Sequence, residues 1–141
     1  MNKMEIKFSA KSENQAFARV VAAAFATQLN PTVAEINEIK TAVSEAVTNA
    51  IIHGYEGDDS KEVGMAAHIQ DTVIFIEISD SGRGIEDIAK AREVLYTSKP
   101  HEERSGMGFT VMEEFMDTLE VVSSLDSGTT VKMSKKIEVV S

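Results

Sequence analysis

Glu45-Ala-Val-Thr-Asn49-Ala-Ile-Ile-His-Gly54 is the stretch on which the reading of this chain turns. At 3.6 residues per turn, a carboxylate and a carboxamide four positions apart stand on one helix face. Asn is a poor residue for a helix interior, so Asn49 within a periodic segment calls for a reason. Ile36, Ile39, Val43, Ala46, Val47, Ala50 and Ile51 recur at helical spacing and form the buried side. Gly54 ends the helix just behind His53, which reads as a capping or packing residue. By themselves Glu45 and Asn49 fit a solvated face shared with Glu38 and Thr41. They equally fit a site in which Asn49 offers its carbonyl oxygen to Mg²⁺, a hard ion that prefers oxygen ligands. One turn away, Glu45 could then orient or deprotonate an attacking group.

Outward from this helix, Met4, Ile6 and Phe8 alternate with polar residues and predict an opening strand. Ser12-x-x-Gln15 is a capping-box pattern, followed by Phe17, Val20, Val21, Ala24, Phe25 and Leu29 as the expected apolar face of a first helix. Asn30-Pro31 breaks the chain, and Thr32-x-x-Glu35 opens the second helix. After a polar loop at 55–61, Val63–Ile69 and Val73–Ile78 read as strands joined by Gln70-Asp71. Residues 85–95 suggest a short helix, and 96–105, polar and containing Pro100, a mobile surface segment. Residues 108–116 predict a helix, and 119–123 with 129–134 a hairpin around Asp126-Ser-Gly128. Hairpin-linked strands with helices between them imply an α+β, two-layer sandwich. Its sheet is expected to be mixed but mainly antiparallel, with helices on one face.

A chain of 141 residues fits one domain spanning 1–141 with a single core. With no Trp and few aromatics, Ile, Val, Ala and Met must fill that core. The absence of Cys excludes disulfides, thiolate metal sites and Cys nucleophiles. A formal charge of −9 argues against direct nucleic-acid binding and suits a basic protein partner. The apolar run at 16–29 follows several lysines, but Arg19 interrupts it, which argues against a signal peptide. No run approaches the ~20 apolar residues that span a bilayer, so the expected location is cytoplasmic, without membrane contact.

Three loops complete the pattern. Asp80-Ser-Gly82-Arg-Gly84 directly follows a predicted strand and would serve equally as a turn. Ser105-Gly106-Met107-Gly108 precedes a predicted helix, where free amides can bind phosphate, or else forms a flexible turn. Thr129 and Thr130 follow the hairpin residue Gly128 and could be ordinary strand residues.

Taken in order, the Glu45–Asn49 helix, the Asp80–Gly84 loop, the Gly106–Gly108 loop and Gly128-Thr-Thr130 resemble the N, G1, G2 and G3 boxes of an ATP-binding superfamily. That superfamily includes gyrase, a heat-shock chaperone, sensor histidine kinases and mismatch-repair ATPases. The resemblance implies a histidine-kinase-like ATPase fold with ATP and Mg²⁺ as cofactors. Asp80 would accept a hydrogen bond from the adenine amino group, and Gly82 and Gly84 would let the chain pass close to the base. Ser105, Gly106, Gly108 and Thr130 would lie on the phosphate side. Arg104 stands where many histidine kinases have a first glycine, so a contact from it to the terminal phosphate is an expectation of its own. The wording Ser44–Tyr55 together with Glu103–Phe109 is similar to the anti-sigma factors of spore-forming bacteria, most of all the F branch. That family implies a homodimeric serine-protein kinase that holds a sporulation sigma factor inactive and phosphorylates a serine of an anti-anti-sigma protein. Glu45 then matches the proposed base and Asn49 the metal ligand, with Arg19 a candidate sigma-factor contact or a rim ion pair. A stress-response anti-sigma kinase, an ATP-regulated binding module without kinase activity and a detached histidine-kinase catalytic domain are the alternatives.

Overall fold

Alternating burial along the strands builds the sheet. The computed structural model describes residues 1–82, 104–124 and 128–138. Strands β1 (Asn2–Ser9), β2 (Glu62–Gln70), β3 (Val73–Asp80), β4 (Thr118–Ser124) and β5 (Gly128–Lys136) lie in the order β1-β2-β3-β5-β4. All described pairings are antiparallel, so the mainly antiparallel sheet expected from the sequence is wholly antiparallel among the described residues. Each strand sends every second residue inward. Phe8, Val63, Met65, Ile74, Ile76, Ile78, Val131 and Met133 are buried on that face. Full burial of such a side chain stabilises by about 1.5–3 kcal/mol, so this row supplies much of the driving force for folding.

Helices α1 (Asn14–Ala26), α2 (Val33–Asn49) and α3 (Arg104–Phe115) complete the two layers, with α2 packed between the other two and against β3. Helix α2 starts where the Thr32–Glu35 capping box predicts. The Glu35 amide donates to Thr32 Oγ1 at 3.1 Å, and the Thr32 amide donates to Glu35 Oε1 at 2.9 Å. Of the residues that the periodicity selects, Ile39, Val43, Ala46 and Val47 are buried in α2 and Ala50 and Ile51 just beyond it, Ile36 is half-buried, and Ala42 and Ser44 are buried in addition.

Helix α1 departs from expectation twice. The Ser12–Gln15 capping box does not form; Gln15 Nε2 donates instead to Thr48 Oγ1 at 2.7 Å and to the Ser44 carbonyl at 3.3 Å, tying α1 to α2. Its buried face is also rotated from the one expected. Ala18, Ala22 and Ala26 are fully buried, whereas Phe17 and Val20 are 50% and 58% exposed. The small alanines at i, i+4 and i+8 let α1 approach α2 closely, which the larger residues would prevent.

Helix α3 starts at Arg104, four residues before the expected Gly108. Phe109, Met112 and Met116 anchor it in the core, and that packing outweighs the poor helix propensity of its two glycines. Buried Lys135 closes its other end, with Nζ donating to the Phe115 carbonyl at 2.7 Å and standing 3.5 Å from Glu38. The helix expected at 85–95 and the turn residues Asp126 and Ser127 lie outside the described residues. So does the segment expected to be mobile at 96–105, except that Arg104 and Ser105 open α3.

Candidate functional site

Beyond Asn49 the backbone of α2 widens. Residues Ala50–Gly54 form one π turn, in which the Tyr55 amide donates to the Ala50 carbonyl five residues back at 3.0 Å. π turns are frequent at functional sites, and this one ends the helix. Before the turn, Glu45 and Asn49 are half-buried on the same face. Among the described residues the buried Asn49 side-chain nitrogen has no hydrogen-bond partner. A buried amide left without a partner is destabilising unless a ligand or water supplies one. The position therefore suits a hydrated cation–phosphate group: the carboxamide oxygen can meet a hard cation while the nitrogen donates to phosphate or water. Among the described residues no group of three or more His, Asp or Glu stands together. A metal on this face would thus take few protein ligands and complete its shell with water and phosphate, which Mg²⁺ accepts.

The π turn delivers Gly54 against Asp80 at the end of β3. A Cβ at Gly54 would stand 2.7 Å from the Asp80 carboxyl carbon. At Gly82 it would lie 1.9 Å from the Gly54 carbonyl oxygen, and at Gly128 2.1 Å from the Asp80 carbonyl oxygen. Gly128 also has φ of +89°, a conformation that side chains disfavour. Gly54 thus packs on the Asp80 carboxyl, Gly82 on the Gly54 backbone and Gly128 on the Asp80 backbone, three close approaches that each need glycine. The Gly82 amide donates to Asp80 Oδ1 at 2.9 Å. Burial pushes the Asp80 carboxyl above the usual carboxylate range, opposed by the N–H groups of Gly82 and Thr129.

That shift carries a stability consequence with a definite sign. Because the folded-state pKa is raised, the contribution of Asp80 is fully present below its unfolded pKa and lost as pH rises through the folded one. The ligand-free protein at neutral pH therefore carries a charge that destabilises it. Asp80→Asn should raise the melting temperature of the ligand-free protein at pH 7. The gain should shrink as pH falls and vanish once Asp80 is protonated in both states. Melting curves at several pH values check this; a gain that grows on acidification would reverse the assignment.

The structure joins Asp80 and Gly82 to Gly54, which ends the helical segment that carries Glu45 and Asn49, whereas Gly84 lies outside the described residues. Arg104, Ser105, Gly106 and Gly108 fall within the first turns of α3 instead of before it. Thr130 pairs with Ser79 across β3–β5, and the parity set by buried Val131 puts it on the outer face of the sheet. Thr129, paired with Asp80, takes the inner position, and its hydroxyl lies 2.7 Å from Ser123 Oγ. Counting back by twos from an inward Val131 would have identified Thr129 from sequence. Gly54 was legible only as a helix end, and nothing in the sequence pointed to its packing against Asp80.

Residues 8–135 match the family profile described as Histidine kinase-like ATPase domain. An anti-sigma F factor of Clostridium perfringens is 62% identical over 136 residues, covering 96% of this chain and 97% of that protein. An anti-sigma F factor of Clostridium botulinum is 57% identical over 140 residues, covering 99% and 98%. One from Oceanobacillus iheyensis is 56% identical over 136 residues, covering 96% and 93%. Among solved structures, the RsbU and RsbW domains of a Mycobacterium tuberculosis protein superpose with a TM-score of 0.67 at 19% identity. That match covers 97% of this chain and 32% of the longer one. The catalytic domain of histidine kinase ThkA gives a TM-score of 0.59 at 14% identity, with 97% of each chain covered. These structural matches establish the shared fold. Among the described residues, no helix is long and apolar enough to cross a membrane.

Proposed function

Since this chain belongs to the anti-sigma F factors, within the histidine kinase-like ATPase domains, we propose that it binds and inhibits a sporulation sigma factor. We further propose that it uses ATP and Mg²⁺ to phosphorylate a serine of an anti-anti-sigma protein. The observation that carries the nucleotide half is the Asp80 carboxyl, packed against Gly54 where the Glu45–Asn49 helix ends and held by the Gly82 amide. A carboxylate in so narrow a cradle suits a flat heterocycle with an amino donor, as in adenine, and leaves little room for a bulkier group.

In this reading Asp80 accepts from the base amino group, and Gly82 and Gly84 let the backbone approach the ring. Asn49 would hold Mg²⁺ through its carboxamide oxygen, and the ion would neutralise charge on the transferring phosphoryl group. The segment that leads into α3, with Gly106 and Gly108 giving the backbone room, is proposed to face the phosphate side. Arg104, Ser105 and Thr130 remain proposed contacts on that side, and Thr129 joins them. Glu45 orients the serine hydroxyl of the partner and takes its proton as the oxygen attacks the γ-phosphorus. The bond from that phosphorus to the β–γ bridging oxygen breaks, and ADP leaves.

The partner half rests on the outer face of α1. Phe17 and Val20 are exposed with Arg19 between them, and contiguous apolar exposure rimmed by charge suits a protein contact. This face is proposed to serve the sigma factor and the homodimer, in the cytoplasm. Incubation with γ-labelled ATP, Mg²⁺ and a candidate anti-anti-sigma protein tests the activity. Acid-stable label on the partner is the expected result. Acid-labile label would instead indicate a histidine kinase, and ATP binding without transfer a nucleotide-regulated binding module.

A further inference from the structure

Tyr55 is the first residue after the π turn, and it reaches back across the candidate site. Its hydroxyl donates to the Glu62 carbonyl of β2 at 2.6 Å and accepts from the Ser81 amide at 2.8 Å. Ser81 stands between Asp80 and Gly82, whose own amide donates to the Asp80 carboxyl. The ring packs against the edge of the hydrophobic core, so the hydroxyl has an anchored base. One extra residue in a helical turn rotates all that follows by about 100°, so the π turn determines where Tyr55 points. Gly54, in the same turn, abuts the Asp80 carboxyl, so a single local widening delivers two neighbouring residues to one loop.

We propose that Tyr55 is a positioning residue for base recognition. Its phenol ties the Ser81 peptide to β2, holding the Asp80–Gly82 loop so that the carboxyl of Asp80 meets the amino group of the base at a fixed distance. This inference rests on the adenine-nucleotide reading of the site and assigns the source of its selectivity. The hydroxyl uses its one proton on Glu62, which leaves a lone pair for Ser81; the arrangement is directional and a phenylalanine cannot reproduce it. Ser81 is exposed, so water replaces the lost partner in Tyr55→Phe and the chain still folds. What disappears is the fixed placement of the loop.

The test compares ATP with inosine triphosphate, which carries an oxygen where adenine carries the amino group, by titration on the full chain. The parent should prefer ATP, since a site built around a donor rejects an analogue that lacks it. Tyr55→Phe should lower the ATP-to-inosine-triphosphate affinity ratio by about fivefold, the scale of one lost hydrogen bond. In an Asp80→Asn background the same substitution should leave the ratio unchanged, because Tyr55 acts through Asp80. A purely structural Tyr55 would lower the melting temperature and leave the ratio intact, and that outcome overturns the proposal. Equal affinity of the parent for the two nucleotides overturns the adenine reading itself and this inference with it. Should Tyr55→Phe not fold, amide hydrogen exchange at Ser81 in the parent decides. Protection supports the bond to Tyr55, and exchange at the rate of a free amide overturns it.

Discussion

Glu45→Gln should leave ATP bound while phosphotransfer falls by about 10²–10⁴-fold, the usual worth of a positioned general base. The substitution keeps the shape and hydrogen-bonding reach of the side chain and removes its capacity to take a proton. Glu45 is half-buried on α2, one turn before Asn49, so it faces the site without being part of the core. A group that acts mainly in the transition state lowers kcat when removed and changes nucleotide affinity little. The measurement pairs nucleotide titration with single-turnover transfer to the anti-anti-sigma substrate. Transfer above a tenth of the parent rate would sink the assigned role, and loss of ATP binding would move Glu45 from chemistry to nucleotide contact.

The next largest effect is expected at Gly82. A Cβ there would lie 1.9 Å from the Gly54 carbonyl oxygen and 2.3 Å from its carbon, and both belong to backbone that cannot swing aside. Gly82→Ala must therefore displace either the end of the π turn or the loop carrying Asp80. Overpacking of this kind costs about 1–3 kcal/mol, which corresponds to roughly tenfold or more in nucleotide affinity if it falls on the bound loop. Gly64→Ala is the matched control. Its Cβ would meet only the Ser79 hydroxyl, at 2.9 Å, and a hydroxyl can rotate away. Titration of both variants with ATP should show a large loss for Gly82→Ala and a small one for Gly64→Ala. Parent-like binding by Gly82→Ala would mean that the loop does not hold its observed position when the nucleotide is bound.

Much of this molecule was legible because its signals are local. The inward strand residues, the buried face of α2 and the Thr32–Glu35 cap all follow from a period of two, a period of 3.6 and a capping pattern four residues long. The box order from Glu45 to Gly128 likewise survives as spacing along the chain, and it leads to the family that the comparisons show. Where the reading failed, a second segment made the choice. Ser12 and Gln15 satisfied a capping pattern, yet Gln15 found better acceptors on α2, which no window around residue 15 contains. The apolar face of α1 was assigned to Phe17, Val20, Val21, Ala24, Phe25 and Leu29; Val21, Phe25 and Leu29 do pack on the core, but closeness to α2 favours alanine, and Phe17 and Val20 are turned outward.

The same division runs through the site. Sequence alone determined that a carboxylate and a carboxamide share one face of α2, that Asp80 ends a strand among glycines, and that the net charge of −9 suits a protein partner rather than nucleic acid. Helical and strand periods dictate the first two whatever else the chain does. Only the tertiary structure decided that Gly54 closes on Asp80, that Thr129 pairs with Asp80, and that Tyr55 ties the Ser81 amide to β2. Each of those depends on a register or a helical widening that brings together residues tens of positions apart. Such contacts form only because burying the shared apolar core leaves the chain no other arrangement as low in free energy.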